Sequence, residues 1–224
     1  MNWIKTVGLL FSKDFREEIR RRENLAASVL FALLSLVLFA FALDPTRFNL
    51  NVSGGGLLWL IILFAGSLFM GSSFRKETED GTLDALLLGP CDRSAIYTAK
   101  FLVNLVFILF LELLIILLAS FFLDLRPGAG LLPLMAVWVA VSIGYSAVGT
   151  LIASLMSRIR GGEILYPILL FPILVPLFIG AATLTHTALT PLFSWSDKWF
   201  RLILLFDIVF FSASALLFEF SVEE

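Results

Sequence analysis

Six stretches of mainly apolar residues, at 25–43, 57–74, 97–123, 131–156, 164–184 and 200–218, follow one another with only short connections between them. A helix needs about 20 mainly apolar residues to cross the hydrocarbon core of a bilayer, and each stretch is of that order. Lipid offers no partners for backbone N–H and C=O groups, so segments that cross it satisfy those groups internally as helices. The pattern predicts an all-α integral membrane protein with six transmembrane helices and no room for a soluble domain in the gaps. Composition agrees. Of the 224 residues 59% are hydrophobic, 15% are charged and the mean hydropathy is +0.98, against roughly 45–50% apolar and about 25% charged in soluble domains.

Residues 1–24 are charged, and the apolar run after them ends in Ala40-Phe41-Ala42, which has the small-x-small form of a signal cleavage site. The charged part is far longer than a usual signal n-region, however. Within it Trp3, Ile4, Val7, Leu10, Phe11, Phe15 and Ile19 recur at helical spacing, with Lys13, Arg16, Glu17 and Arg20 between them. That spacing predicts an amphipathic helix lying in the membrane interface, with the first stretch retained as a span. The chain divides into this interfacial helix (1–24), a six-helix membrane domain (25–218) and a short tail (219–224).

Lys and Arg fix the orientation, because they concentrate on the cytoplasmic side. Lys5, Lys13, Arg16, Arg20, Arg21 and Arg22 precede the first span; Arg75, Lys76, Arg93 and Lys100 surround the second-to-third connection; Arg158 and Arg160 follow the fourth span. The opposite side has only Arg47, Arg126, Lys198 and Arg201, so twelve stand against four and both termini are expected in the cytoplasm. Trp195 and Trp199 beside Lys198 read as an outer aromatic anchor.

Several function classes are excluded at this level. The net charge of −2 gives no field to attract nucleic acid. There is no G-x-x-x-x-G-K-[ST] phosphate loop; Gly54, Gly55 and Gly56 lack the lysine and read as a flexible outer loop. One cysteine, Cys91, and one histidine, His186, cannot supply the four ligands of a structural zinc site. No nucleophile, base and orienting group fall into a catalytic pattern. The chain is expected to be non-catalytic, with no metal site and no firmly bound cofactor.

Polar residues inside the spans carry the other candidates. Glu112 lies near the middle of the third span with Asn104 two turns before it on a similar face, and Asp207 lies inside the sixth. An acidic residue costs a few kcal/mol at mid-bilayer, so each should face protein or water. Either they line a substrate path or act as a latch, or they make interhelical hydrogen bonds worth roughly 0.6 kcal/mol each. Ser142, Ser146, Thr150 and Ser154, at four-residue spacing beside Ala136, Ala140 and Gly144, read as close helix packing, as do Ser67 and Gly71. His186 stands among Thr183, Thr185 and Thr187 on the outer side, where a lone histidine is more often merely solvated. Pro167, Pro172 and Pro176 interrupt the fifth span, and Pro191 follows. Each interrupting proline removes a helix hydrogen bond, so the segment either folds back over 177–192 or continues as a kinked helix.

The most informative stretch is the cytoplasmic connection at 75–96. Thr82 is suited to N-cap a short helix, Asp84 favours its positive end, and Gly89 and Pro90 stop it. Asp92 can cap the next helix. A short apolar helix there must dock on lipid headgroups or on a partner protein. The run Glu79, Asp80, Gly81, Thr82, Leu83, Leu86, Leu87, Leu88 and Pro90, with a lysine at the next span, resembles the permeases of ABC-2-type exporters. The resemblance implies an ABC-2-type permease fold in which this segment is a coupling helix seated in a groove of a separate ATPase subunit.

A narrower resemblance is to the CcmB family, the haem exporter permeases of the cytochrome c maturation ABC transporter. It is carried by the length, the basic cluster before the first span, the six stretches and the proline-rich fifth one. It implies a bacterial inner-membrane complex: two permease copies, a CcmA-like ATPase, CcmC- and CcmD-like haem-handling subunits and a CcmE-like chaperone. ATP enters only through the partner, and haem is the implied substrate, exported or released on its chaperone, which makes His186 a candidate haem contact set against plain solvation. An exporter of lipid, glycan or drug, or a scaffold that only holds the ATPase, are the alternatives.

Overall fold

The computed structural model describes residues 3–43, 50–74, 78, 91–122, 131–157, 159, 161–188 and 193–221. Seven helices lie among them: α1 (Trp3–Arg21), α2 (Glu23–Ala42), α3 (Leu50–Met70), α4 (Arg93–Phe122), α5 (Leu131–Ser157), α6 (Gly162–Ala188) and α7 (Lys198–Ser221). Five of these, α2, α4, α5, α6 and α7, are long and apolar enough to cross a membrane, and α3 adds a shorter apolar helix over Gly54–Met70. All of the acidic connection motif, residues 79–90, lies outside the described residues.

α5 stands at the centre, packed against α4, α6 and α7, while α3 bridges α2 and α6. Every residue from 144 to 154 is buried, so this part of α5 is enclosed on all sides. Its small side chains explain how. Without a hydrophobic drive between helices in lipid, association depends on close packing and interhelical hydrogen bonds. A Cβ on Gly144 would meet the Asp207 carboxylate and, at 3.0 Å, the Phe206 ring of α7; one on Gly66 of α3 would meet Tyr145 of α5 at 2.6 Å.

One expectation is corrected, and one open alternative is decided over the described residues. Gly54, Gly55 and Gly56 are not a flexible loop but part of α3. A Cβ on Gly55 would meet Thr185 Cγ2 of α6 at 3.1 Å, so the missing side chain lets α3 and α6 approach. The fifth span does not fold back within 177–188: α6 runs unbroken to Ala188 with Pro167, Pro172 and Pro176 inside it, and 189–192 lie outside the described residues. Its buried seam of Tyr166, Leu170, Leu174, Leu177, Ala181, Leu184 and Ala188 keeps three- and four-residue spacing, whereas Pro172 and Pro176 are exposed. The seam holds the helix against its neighbours across the prolines.

α1 begins as expected but does more than lie on a surface. One side exposes Ile4 and Leu9, and another buries Val7 against Ala95 and Ala99 of α4. At Arg22 the backbone adopts a left-handed conformation (φ 48°) and turns the chain into α2.

Gly144→Ala is expected to lower the thermal unfolding midpoint of the solubilised protein, since overpacking of this kind costs about 1–3 kcal/mol. Gly56→Ala, whose Cβ meets nothing within 4 Å, should leave the midpoint unchanged or raise it. Equal effects of the two would contradict the close α5–α7 contact.

Candidate coupling and transport site

The connection motif itself is undescribed, but both of its roots are visible. On one side α3 ends and Gly71 to Phe74 form a turn. On the other, the Asp92 carbonyl accepts the Ala95 N–H (2.9 Å) and opens α4. α4 has 30 residues, about 45 Å at 1.5 Å per residue, which exceeds a hydrocarbon core of about 30 Å. α1 packs along its N-terminal part. Trp3 Nε1 donates to Ser94 Oγ (3.1 Å), and Phe15 packs on Phe107 with ring centroids 5.5 Å apart. Contacts advance in step along both helices, so the two run side by side in the same direction.

Between these contacts sits a buried ion pair. Lys100 Nζ lies 3.4 Å from Asp14 Oδ2, with the two side chains only 8% and 6% exposed. The same ammonium donates to the Ser73 carbonyl (3.2 Å) and stands 5.3 Å from the centre of the Phe74 ring, a distance at which cation–π attraction acts. Lys13 approaches Asp14 from the solvent side, 3.2 Å from Oδ1. Lys100 thus meets α1 and the root at α3 while standing on α4 itself. Removing one partner of a buried pair costs roughly 3–5 kcal/mol, several times the 0.6 kcal/mol or so of an average interhelical hydrogen bond in lipid. Around it, Phe218 near the end of α7 packs on both Phe74 and Tyr97 (5.9 and 5.5 Å between centroids).

From Ser73 the polar contacts continue inward. Its hydroxyl donates to Asn104 Oδ1 (3.2 Å), and Asn104 Nδ2 donates to Thr150 Oγ1 of α5 (2.8 Å). Two turns deeper, Ser142 Oγ donates to Glu112 Oε2 (2.7 Å). Tyr97 donates to the Ala147 carbonyl (3.1 Å) and Tyr145 to the Leu63 carbonyl (2.6 Å). Asn104 and Glu112 are therefore on one α4–α5 seam, 1% and 2% exposed, each with its own partner on α5. Glu112 Oε1 has no hydrogen-bond partner among the described residues. Ser142 and Thr150, read from the sequence as packing alone, also supply the polar partners.

The remaining candidates lie apart from this seam. Asp207 is buried against Gly144, its Oδ1 without a hydrogen bond among the described residues. It floors a lateral groove of about 510 Å³ between α5 and α7, otherwise lined by apolar groups such as Met135, Val139, Phe200 and Leu204. His186 is half-exposed in the last turn of α6, on the helix rather than in a loop. Its neighbour Thr185 accepts the Trp59 indole N–H (2.8 Å). No group of three or more His, Cys, Asp or Glu able to hold a metal occurs among the described residues.

Sequence reasoning missed Asp14, Ser73 and the position of Lys100. The signal was present: Trp3, Val7, Leu10 and Asp14 follow at spacings of four, three and four residues, which puts an acid on the apolar stripe of α1. An acid on such a stripe needs a buried cation, and Lys100 lies two turns into α4.

The chain matches the family CcmB protein over residues 5–223, from the first turn of α1 to beyond α7. It is 32% identical to heme exporter protein B of Rhodobacter capsulatus over 183 residues, covering 79% of this chain and 81% of that one. It is 28% identical to heme exporter protein B of Pseudomonas aeruginosa over 174 residues, 77% of each chain, and 30% identical to that of Bradyrhizobium diazoefficiens over 176 residues, 77% and 78%. With its apolar helices and a match across nearly its whole length, this multi-pass membrane protein belongs to the CcmB family.

Proposed function

We propose that the chain is the permease component of an ABC transporter for cytochrome c maturation, which couples ATP hydrolysis on a separate ATPase to haem export or to release of a haem-loaded chaperone. The observation that carries this reading is the family match over residues 5–223, with relatives named heme exporter protein B. In this reading two copies form an ABC-2-type core in the bacterial inner membrane, with six spans each and both termini in the cytoplasm. A CcmA-like ATPase docks on the 75–96 connection through Glu79, Asp80, Gly81, Thr82, Leu83, Leu86, Leu87, Leu88 and Pro90. CcmC-, CcmD- and CcmE-like partners handle the haem. Glu112, Asn104 and Asp207 act in the path or as latches, and His186 is a candidate haem contact.

Two measurements test the reading. Gly81→Asp or Leu86→Lys should lower formation of c-type cytochromes by about tenfold, within the usual size of coupling between sites, while ATP hydrolysis continues without its normal stimulation. Normal maturation with normal stimulation would overturn it. Orientation is read from Cys91, the single cysteine, which is half-buried at the root of α4. A membrane-impermeant maleimide should label Cys91 only after the inner membrane is opened. In a Cys91→Ser background it should label Ser194→Cys from outside. Labelling of Cys91 in intact spheroplasts would reverse the topology.

A further inference from the structure

We infer that Lys100 is a positioning residue that binds α1, both roots of the 75–90 connection and α5 into one mechanical unit, so that displacement of the connection is passed into the α4–α5 packing. This rests on the reading that an ATPase seats on that connection.

Three observations lead there. The first is convergence. A single ammonium on α4, one root of the connection, is held by a carboxylate of α1 and by the carbonyl of Ser73 at the other root, with the Phe74 ring beside it. The second is continuity. Ser73 accepts from Lys100 through its carbonyl and donates to Asn104 through its hydroxyl, and Asn104 donates to Thr150. The path from α1 to α5 has no step longer than 3.4 Å. The third is enclosure. The Asp14 and Lys100 side chains are almost fully out of solvent, and the Val7, Ala95 and Ala99 cluster packs the same two helices. Water is a poor substitute partner at such a site, so the groups have strong reason to move together.

A chain of contacts becomes a coupling path only when its members show energetic coupling. The test uses the full-length chain co-expressed with its ATPase, in cells lacking the chromosomal copy. Three quantities are read: ATPase co-purified, ATP hydrolysed per complex, and c-type cytochrome formed. Lys100→Met and Asn104→Leu should each leave co-purification intact and lower cytochrome formed per ATP by about tenfold. The double variant should do no worse than the poorer single one, because both cut the same path. Lys100→Arg, which keeps the charge and donors, should stay within about threefold of wild type. Unchanged cytochrome per ATP in Lys100→Met, or an additive loss in the double variant, would overturn the inference.

If Lys100→Met fails to accumulate, a second measurement decides. In a Cys91→Ser background, Val7→Cys and Ala99→Cys are cross-linked to lock α1 on α4. A unit that moves together keeps at least about half of its maturation activity when locked; a loss of about tenfold or more means α1 must leave α4, and the inference falls. Gly81→Asp is measured alongside. If it has no effect, the ATPase-docking reading fails. If it uncouples while Lys100→Met does not, this inference alone fails.

Discussion

An ammonium taken out of water must be met by several groups at once, or the structure that buries it does not form. Lys100 is met by Asp14, by the Ser73 carbonyl and by the Phe74 ring, which come from α1 and from the turn after α3. Much of this end of the helix bundle follows from that requirement. α1 has to run beside α4, which explains why Trp3 reaches Ser94 at one end and Phe15 reaches Phe107 at the other. The turn at 71–74 has to present its backbone to α4, which places the Ser73 hydroxyl within reach of Asn104. Chain segments far apart in sequence are brought to one point by a single charge.

Elsewhere the constraint is lipid. Apolar side chains gain little by leaving hydrocarbon for one another, so close backbone approach and hydrogen bonds decide which helices touch. Gly66 makes room for Tyr145, whose hydroxyl then reaches the Leu63 carbonyl on the same helix. Gly55 makes room for Thr185, which accepts from Trp59 one turn along. In both places a glycine and a hydrogen bond occur together: the missing side chain admits a polar group, and the polar group finds a carbonyl or an indole N–H across the gap.

These pairings explain what could be read in the sequence. Hydropathy located the helices because a span of apolar residues has few alternatives; 131–156 against α5 at Leu131–Ser157 differs by a single residue. Boundaries slipped where polar or small residues continue a helix beyond its apolar part. α4 starts at Arg93, four residues before the apolar stretch, because Ser94 and Ala95 pack on α1. α3 starts at Leu50, because the glycines that read as loop include a packing position against α6. Glu112 and Asn104 were visible as anomalies in an apolar stretch. Their partners Ser142 and Thr150 were not, since a hydroxyl serves packing and bonding equally well until its neighbour is known. Asp14 was hidden among other charges, where only its place on the apolar stripe set it apart.

Register gives the α4–α5 seam a further property. Asn104 and Glu112 are separated by two turns on α4, and Thr150 and Ser142 by two turns on α5, in opposite order along antiparallel helices. Sliding one helix along the other would break both bonds together and leave buried donors and acceptors unpaired on both helices, at about 1–3 kcal/mol each. Motion that preserves both bonds carries α4 and α5 as a pair and has to be taken up at the other contacts of α5. One of those is Gly144 against Asp207, half a turn from Ser142 on the same helix. There one carboxylate oxygen has no hydrogen bond among the described residues and the neighbouring groove is open to the side. The seam thus fixes which helices move together, and the close Gly144–Asp207 contact means that α7 must follow that pair or repack against it.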